Sequence, residues 1–202
     1  MTDTASDIIE FWIGDAARDA AAAKQRTKLW YQSTAELDAE LDARFGEHLA
    51  RAARGELDDW VQHAEGSLAL VILLDQFSRN IHRGTAAAFA NDMRAQDVTR
   101  TALAAGFDRQ LSMIGRVFLL HPLHHAEDLA SHADCVRHYE AMRAEAPAEW
   151  HELLDDFLFH AREHRDVIER FGRFPHRNAV LGRTSTEEEQ AYLDSGARRY
   201  GQ

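Results

Sequence analysis

Gly66-Ser-Leu-Ala-Leu-Val-Ile-Leu-Leu74 runs without a break into Asp75-Gln-Phe-Ser-Arg79-Asn-Ile-His-Arg83. The first half carries apolar groups at every angle around a helix, so a helix built from it must be enclosed by other elements. A buried strand is the alternative for so short a run. The rest of the chain favours helix. Its 202 residues include only three prolines and eleven glycines, few β-branched runs, and many Ala, Leu, Glu and Arg, which lose little rotamer freedom in a helix. The expectation is an all-α single domain over residues 1–202, and 45% hydrophobic content at this length supports one substantial core or a continuous helical stack.

Helix signals extend outward on both sides. Ile8, Ile9, Phe11 and Trp12 define a first helix from Ala5 to Ile13, ended by Gly14. Ser33 with Glu36 has capping-box spacing and opens an amphipathic helix whose apolar side is Leu37, Leu41, Phe45 and Leu49. Phe89, Met93 and Val98 suggest a helix reaching Gly106, and Leu111 to Leu120 a further one that stops before Pro122. Glu127 to Glu145 and Trp150 to Phe171 are separated by Pro147, Gly172 ends the latter, and Ser185 with Glu188 starts a last short helix.

The formal net charge is -11, from 23 basic and 34 acidic side chains. That balance excludes a general nucleic-acid binder, which neutralises phosphates with surplus cations. No apolar stretch approaches the roughly 20 residues of a membrane span. The single Cys135 precludes an internal disulfide, and the acidic start lacks signal-peptide features, so a cytoplasmic location is expected. No glycine-rich phosphate loop occurs, and no cofactor is implied.

Polar chemistry concentrates in three places. Asp75 and Arg79 lie four apart on one helix face, with Gln76, Asn80 and Arg83 as a second polar row. The segment Arg170-Phe-Gly-Arg-Phe-Pro-His-Arg-Asn-Ala-Val-Leu-Gly-Arg183 is a rigid, arginine-rich connection, whose planar forks suit carboxylate or phosphate. Pairing of Arg173 and Arg177 with Asp75 or Glu127 is the structural alternative. The third place is His121-Pro-Leu-His124-His125-Ala-Glu127, while His160-Ala-Arg-Glu163-His164 matches an H-x-x-E-H spacing. Neither is assigned a metal, since a third distant ligand and a strand-rich fold are not evident.

The chain resembles a widespread bacterial family, domain of unknown function 924. The resemblance rests on Phe11-Trp12, Leu29-Trp30, Phe45-Gly46, Leu73-Leu-Asp-Gln-Phe-Ser-Arg-Asn-Ile-His-Arg-Gly84, Ala88-Phe-Ala-Asn-Asp92, Pro122-Leu-His-His-Ala-Glu127 and His164 to Asn178 with Leu181-Gly-Arg183. Ser78 and Ala126 depart from the family pattern. The resemblance implies a tetratricopeptide-like stack of antiparallel helices, roughly eight to ten in number, and no established activity. It also implies one constellation, in which Asp75, Gln76, Arg79, Asn80 and Arg83 meet His125 and Glu127 and then His164, Arg173, His176, Arg177 and Asn178.

Three functions stand as alternatives. The cleft binds a small anionic metabolite, with acid-base chemistry by His125 or His164 assisted by Glu127. The helices cradle an acidic peptide or a partner's C-terminal carboxylate. Or the cluster is an ion-pair lock. No oligomeric state can be read from the sequence.

Overall fold

The computed structural model describes residues 4–32 and 34–196, and among these every regular element is helical, with no strand. In chain order the helices are α1 (Ala5–Trp12), α2 (Ala20–Tyr31), α3 (Ala35–Ala53), α4, α5 (Asp92–Ala104), α6 (Met113–His124), α7 (Leu129–Glu145), α8 (His151–Phe171) and α9 (Glu187–Asp194). Helix α4 starts as Ala64–Val71, continues through a π-helical turn at Ile72–Phe77 and finishes as Ser78–Ile81.

Helix α4 is central because its sequence leaves it no polar face. Every residue from Gly66 to Ser78 is buried, and α1, α3, α5 and α6 surround it. Each enclosed Leu, Ile or Val contributes about 1.5–3 kcal/mol relative to exposure. Gly66 permits the closest approach, since a Cβ there would run into the Trp60 carbonyl of the preceding 3₁₀ turn. Phe77, at the end of the π turn, meets Phe45 at 5.1 Å and Trp12 at 5.3 Å between ring centroids, and Trp30 packs on Phe118 at 4.9 Å. The end of α1 is held by α2: the Trp12 carbonyl accepts from Arg26 Nε at 2.9 Å and Trp30 Nε1 at 2.8 Å.

Helix starts differ from the sequence expectation by one residue in two places. Ser33 lies outside the described residues; the N-cap of α3 is Thr34, whose hydroxyl accepts from Leu37 N. Likewise α9 is capped by Thr186 and Glu189, a complete capping box, and not by Ser185 and Glu188. Pro122 does not end α6 but lies inside it. The helix continues to His124, giving up only one backbone donor, because its walls are buried and tertiary packing outweighs the local cost. This extension carries His121, His124 and His125 into the interior.

Helices α7 and α8 pack along one another. Gly172 ends α8 at φ 68°, a left-handed conformation glycine adopts without strain. The chain then passes through the 3₁₀ turn Pro175–Arg177, buries Phe174 and delivers α9.

Candidate functional site

Asp75 sits on the π turn with no exposed surface. Four nitrogens converge on it: Arg79 Nε at 3.3 Å and Nη2 at 3.1 Å, His125 Nδ1 at 2.8 Å to one oxygen and 3.0 Å to the other, and Gln76 Nε2 at 2.6 Å. A π turn is rare and recurs at functional sites, because its extra residue rotates the later part of the helix relative to the earlier part. Arg79 also reaches both oxygens of Asp92 at 3.0 Å, and Arg177 Nη1 contacts the same carboxylate at 3.3 Å. Arg177 Nη2 donates to the His125 carbonyl at 3.0 Å, and its guanidinium lies over Phe174 and Phe89. The result is an alternating chain of charges, Asp75, Arg79, Asp92 and Arg177, whose sum is zero.

Burial works to raise the pKa of Asp75, but His125 and Arg79 outweigh it and hold the carboxyl far below its usual range. Burial pushes His125 down to about 3 despite the opposing field of Asp75. The pair is therefore an ionised carboxylate beside a neutral imidazole at neutral pH. Burial raises Asp92 in spite of its two arginines, and burial with repulsion from Arg79 lowers Arg177 to about 10.

Five further imidazoles surround this chain of charges, and burial holds each of them below the ordinary histidine value. They are His121, His124, His132, His164 and His176, the last at about 3. Ring centroids are 4.2 Å apart for His124 and His164, 5.4 Å for His124 and His125, and 5.5 Å for His121 and His125. Both ring nitrogens of His124, Nδ1 of His132 and Nε of Arg177 are buried without a hydrogen-bond partner among the described residues. Buried polar groups nearly always have partners, so this concentration marks the region as unusual. Among the described residues, no group of three or more His, Cys, Asp or Glu is arranged to hold a metal ion.

A second network lies outside the first. Glu127 accepts from the Phe174 amide at 2.8 Å and from Arg183 at 2.6 and 3.0 Å. Arg183 also donates to Asn178 Oδ1 at 2.9 Å. Arg173 forms a two-pronged contact with Glu189 at 2.6 and 2.8 Å, and Asn178 Nδ2 donates to Glu189 at 3.3 Å. The Arg173 contact lowers Glu189 to about 2. Arg183 and His176 also line a groove of about 550 Å³ that mixes apolar Pro175, Val180 and Leu193 with polar Thr184, Ser185 and Gln190.

The sequence constellation thus divides. Asp75, Gln76, Arg79, His125, His164, His176 and Arg177 belong to the inner centre. Glu127, Arg173 and Asn178 belong to the outer network, and Arg83 turns to Asp38 and Asn80 at the rim. The partner of His125 is Asp75 and not Glu127, whose oxygens are taken by Arg183 and Phe174. Arg177 and Arg173 pair with Asp92 and Glu189, not with Asp75 or Glu127. The constellation drawn from the sequence does not include Asp92, Glu189, Tyr31, or His121 and Arg183 from its own polar segments; the Tyr31 hydroxyl lies 3.2 Å from His121 Nε2. Asp92 ends the Ala88–Asp92 motif and Arg183 ends Leu181-Gly-Arg183, and that was the available signal.

The model of the family described as "Bacterial protein of unknown function (DUF924)" matches residues 8–197. The chain belongs to this family. A solved structure described as the protein of unknown function ATU0120 from Agrobacterium tumefaciens is 40% identical, with a TM-score of 0.78 over 95% of this chain and 97% of that one. No curated protein matches the chain. No described helix is long and apolar enough to cross a membrane.

Proposed function

We propose that the chain binds a small molecule against His125, with the Asp75–His125 pair accepting a hydrogen bond from it. The observation that carries this reading is the 2.8 Å contact between His125 Nδ1 and a fully buried carboxylate on the π turn. A carboxylate behind an imidazole fixes which nitrogen bears the hydrogen and leaves the other nitrogen of the neutral ring as an acceptor. Nε2 of His125 makes no hydrogen bond among the described residues, and the side chain keeps 17% of its surface.

The arginines support a structural part in the same reading. Arg79, Arg83, Arg173, Arg177 and Arg183 each face a carboxylate. An anionic metabolite would have to displace one of these, at the cost of leaving a partly desolvated charge unpaired. The groove between the Pro175–Arg177 turn and α9 is the surface on offer to a partner, but its Arg183 is already paired with Glu127, which does not favour an acidic peptide.

Thermal-shift screening of neutral, acidic and basic metabolites against the protein and its His125→Gln variant tests the reading. The expected result is a compound that stabilises the native chain and leaves the variant unchanged. Equal stabilisation of both, or no stabilising compound, contradicts it.

A further inference from the structure

Three imidazoles at the inner centre have committed their hydrogens to the protein. His121 Nδ1 lies 2.9 Å from the Val117 carbonyl, His132 Nε2 lies 2.9 Å from the Ala126 carbonyl, and His125 Nδ1 faces the Asp75 carboxylate. Those oxygens only accept, so each of these nitrogens bears the hydrogen, and the second nitrogen of each neutral ring is a lone-pair acceptor. His121 Nε2 accordingly accepts from Tyr31, whose hydroxyl donates at 3.2 Å. His125 Nε2, on a ring 5.5 Å from that of His121, is the neighbouring acceptor.

Tyr31 is placed to be replaced. It is the last residue of α2, it is 53% exposed, and yet its hydroxyl points inward to a histidine that is 2% exposed. Its outer surface presents an aromatic face at the rim, while its hydroxyl supplies the hydrogen that the buried acceptor needs.

Charge narrows the chemistry further. Asp75, Arg79, Asp92 and Arg177 cancel, so the centre has neither a surplus cation for an anionic ligand nor a surplus carboxylate for an ammonium. A site that offers adjacent acceptors and no net charge is recognised by a neutral molecule through its own donors. Resting on the reading that a ligand docks at His125, we infer that the ligand is an uncharged, hydroxyl-rich molecule of the polyol or sugar class. One of its hydroxyls donates to His125 Nε2, and a second replaces the Tyr31 phenol on His121 Nε2.

The test is ¹⁵N NMR of the histidine side chains in the full chain, titrated with D-sorbitol and D-glucose, and with ethanolamine and inorganic phosphate as charged comparators. The inference expects a neutral compound to move His125 Nε2 and His121 Nε2 saturably while exposed His63 stays fixed. Tyr31→Phe, which removes the competing donor, should tighten that binding by about fivefold. Saturable shifts at His125 from phosphate or ethanolamine alone overturn the ligand class and leave docking at His125 standing. Shifts that never saturate, or that appear equally at His63, overturn the inference. No shift at His125 from any of the four compounds also overturns it, while a stabilising compound whose effect is independent of His125 overturns the docking reading beneath it.

Discussion

Side chains of the inner chain of charges, Asp75, Arg79, Asp92 and Arg177, are 0%, 12%, 16% and 6% exposed, whereas Arg173 and Arg183 of the outer network keep 29% and 24%. Both networks alternate acid and base, but the inner one has surrendered its hydration and depends on every member. In the outer one Arg173, Arg183 and Glu127 retain water as an alternative partner although Glu189 itself is only 3% exposed, and it joins α9 to the body over a small apolar cluster of Val167, Ile168 and Phe174. Burial, not residue type, determines what each ion pair does.

The largest expected effect is at the centre. Asp75→Ala strips Arg79 and His125 of a shared partner and should cost about 3–5 kcal/mol, a fall in Tm of about 10 °C in a chain of this size. A loss of only a degree or two in thermal unfolding would break the distinction between the networks.

Acidification should act next, and on the inner network first. A histidine whose folded pKa lies below its unfolded value of about 6.5 stabilises fully above that pH and loses its contribution as pH falls toward the folded value. For His125 that window runs from about 6.5 down to about 3. His125→Gln should flatten the dependence of stability on pH in this window by up to about 1.4 kcal/mol per pH unit. Glu189 has the opposite origin but the same sign: its contribution is complete above about pH 4.5 and fades as pH falls through about 2. Acid should therefore loosen the centre before it loosens α9, and hydrogen exchange followed against pH gives the order.

A smaller effect is expected for Asp92→Asn, since Arg79 keeps Asp75 and Arg177 keeps the His125 carbonyl. Denaturant midpoints should place it between Asp75→Ala and Glu189→Gln. The smallest global effect belongs to Glu189→Gln, whose effect is confined to the attachment of α9 and should raise hydrogen exchange in Glu187–Asp194 while leaving α4 protected. Equal deprotection of α4 would merge the two networks into one.

The enclosed helix was legible because an all-apolar run has one physical outcome in a helical chain, and the Asp75 and Arg79 pair was legible because four-residue spacing fixes neighbours on a helix. Adjacent hydroxyls at Ser33-Thr34 and Ser185-Thr186 defeated the choice of N-cap, since either residue fits the local rule. The π turn and the passage of α6 through Pro122 depend on packing against other helices, which no local window contains. The partners Asp92 and Glu189 lie 13 and 16 residues from Arg79 and Arg173, and Asp75 lies 50 from His125, so only the fold could assign them.

Everything proposed for the inner centre requires His125 to be a neutral imidazole with its hydrogen on Nδ1, held there by an ionised Asp75. Side-chain ¹⁵N NMR of His125, followed from neutral pH to about pH 5 where an ordinary histidine is protonated, reads that state without an intermediary. His125 is expected to stay neutral throughout, with Nδ1 bearing the hydrogen and Nε2 unprotonated. Titration near the ordinary histidine value, or a hydrogen on Nε2 at neutral pH, would contradict it.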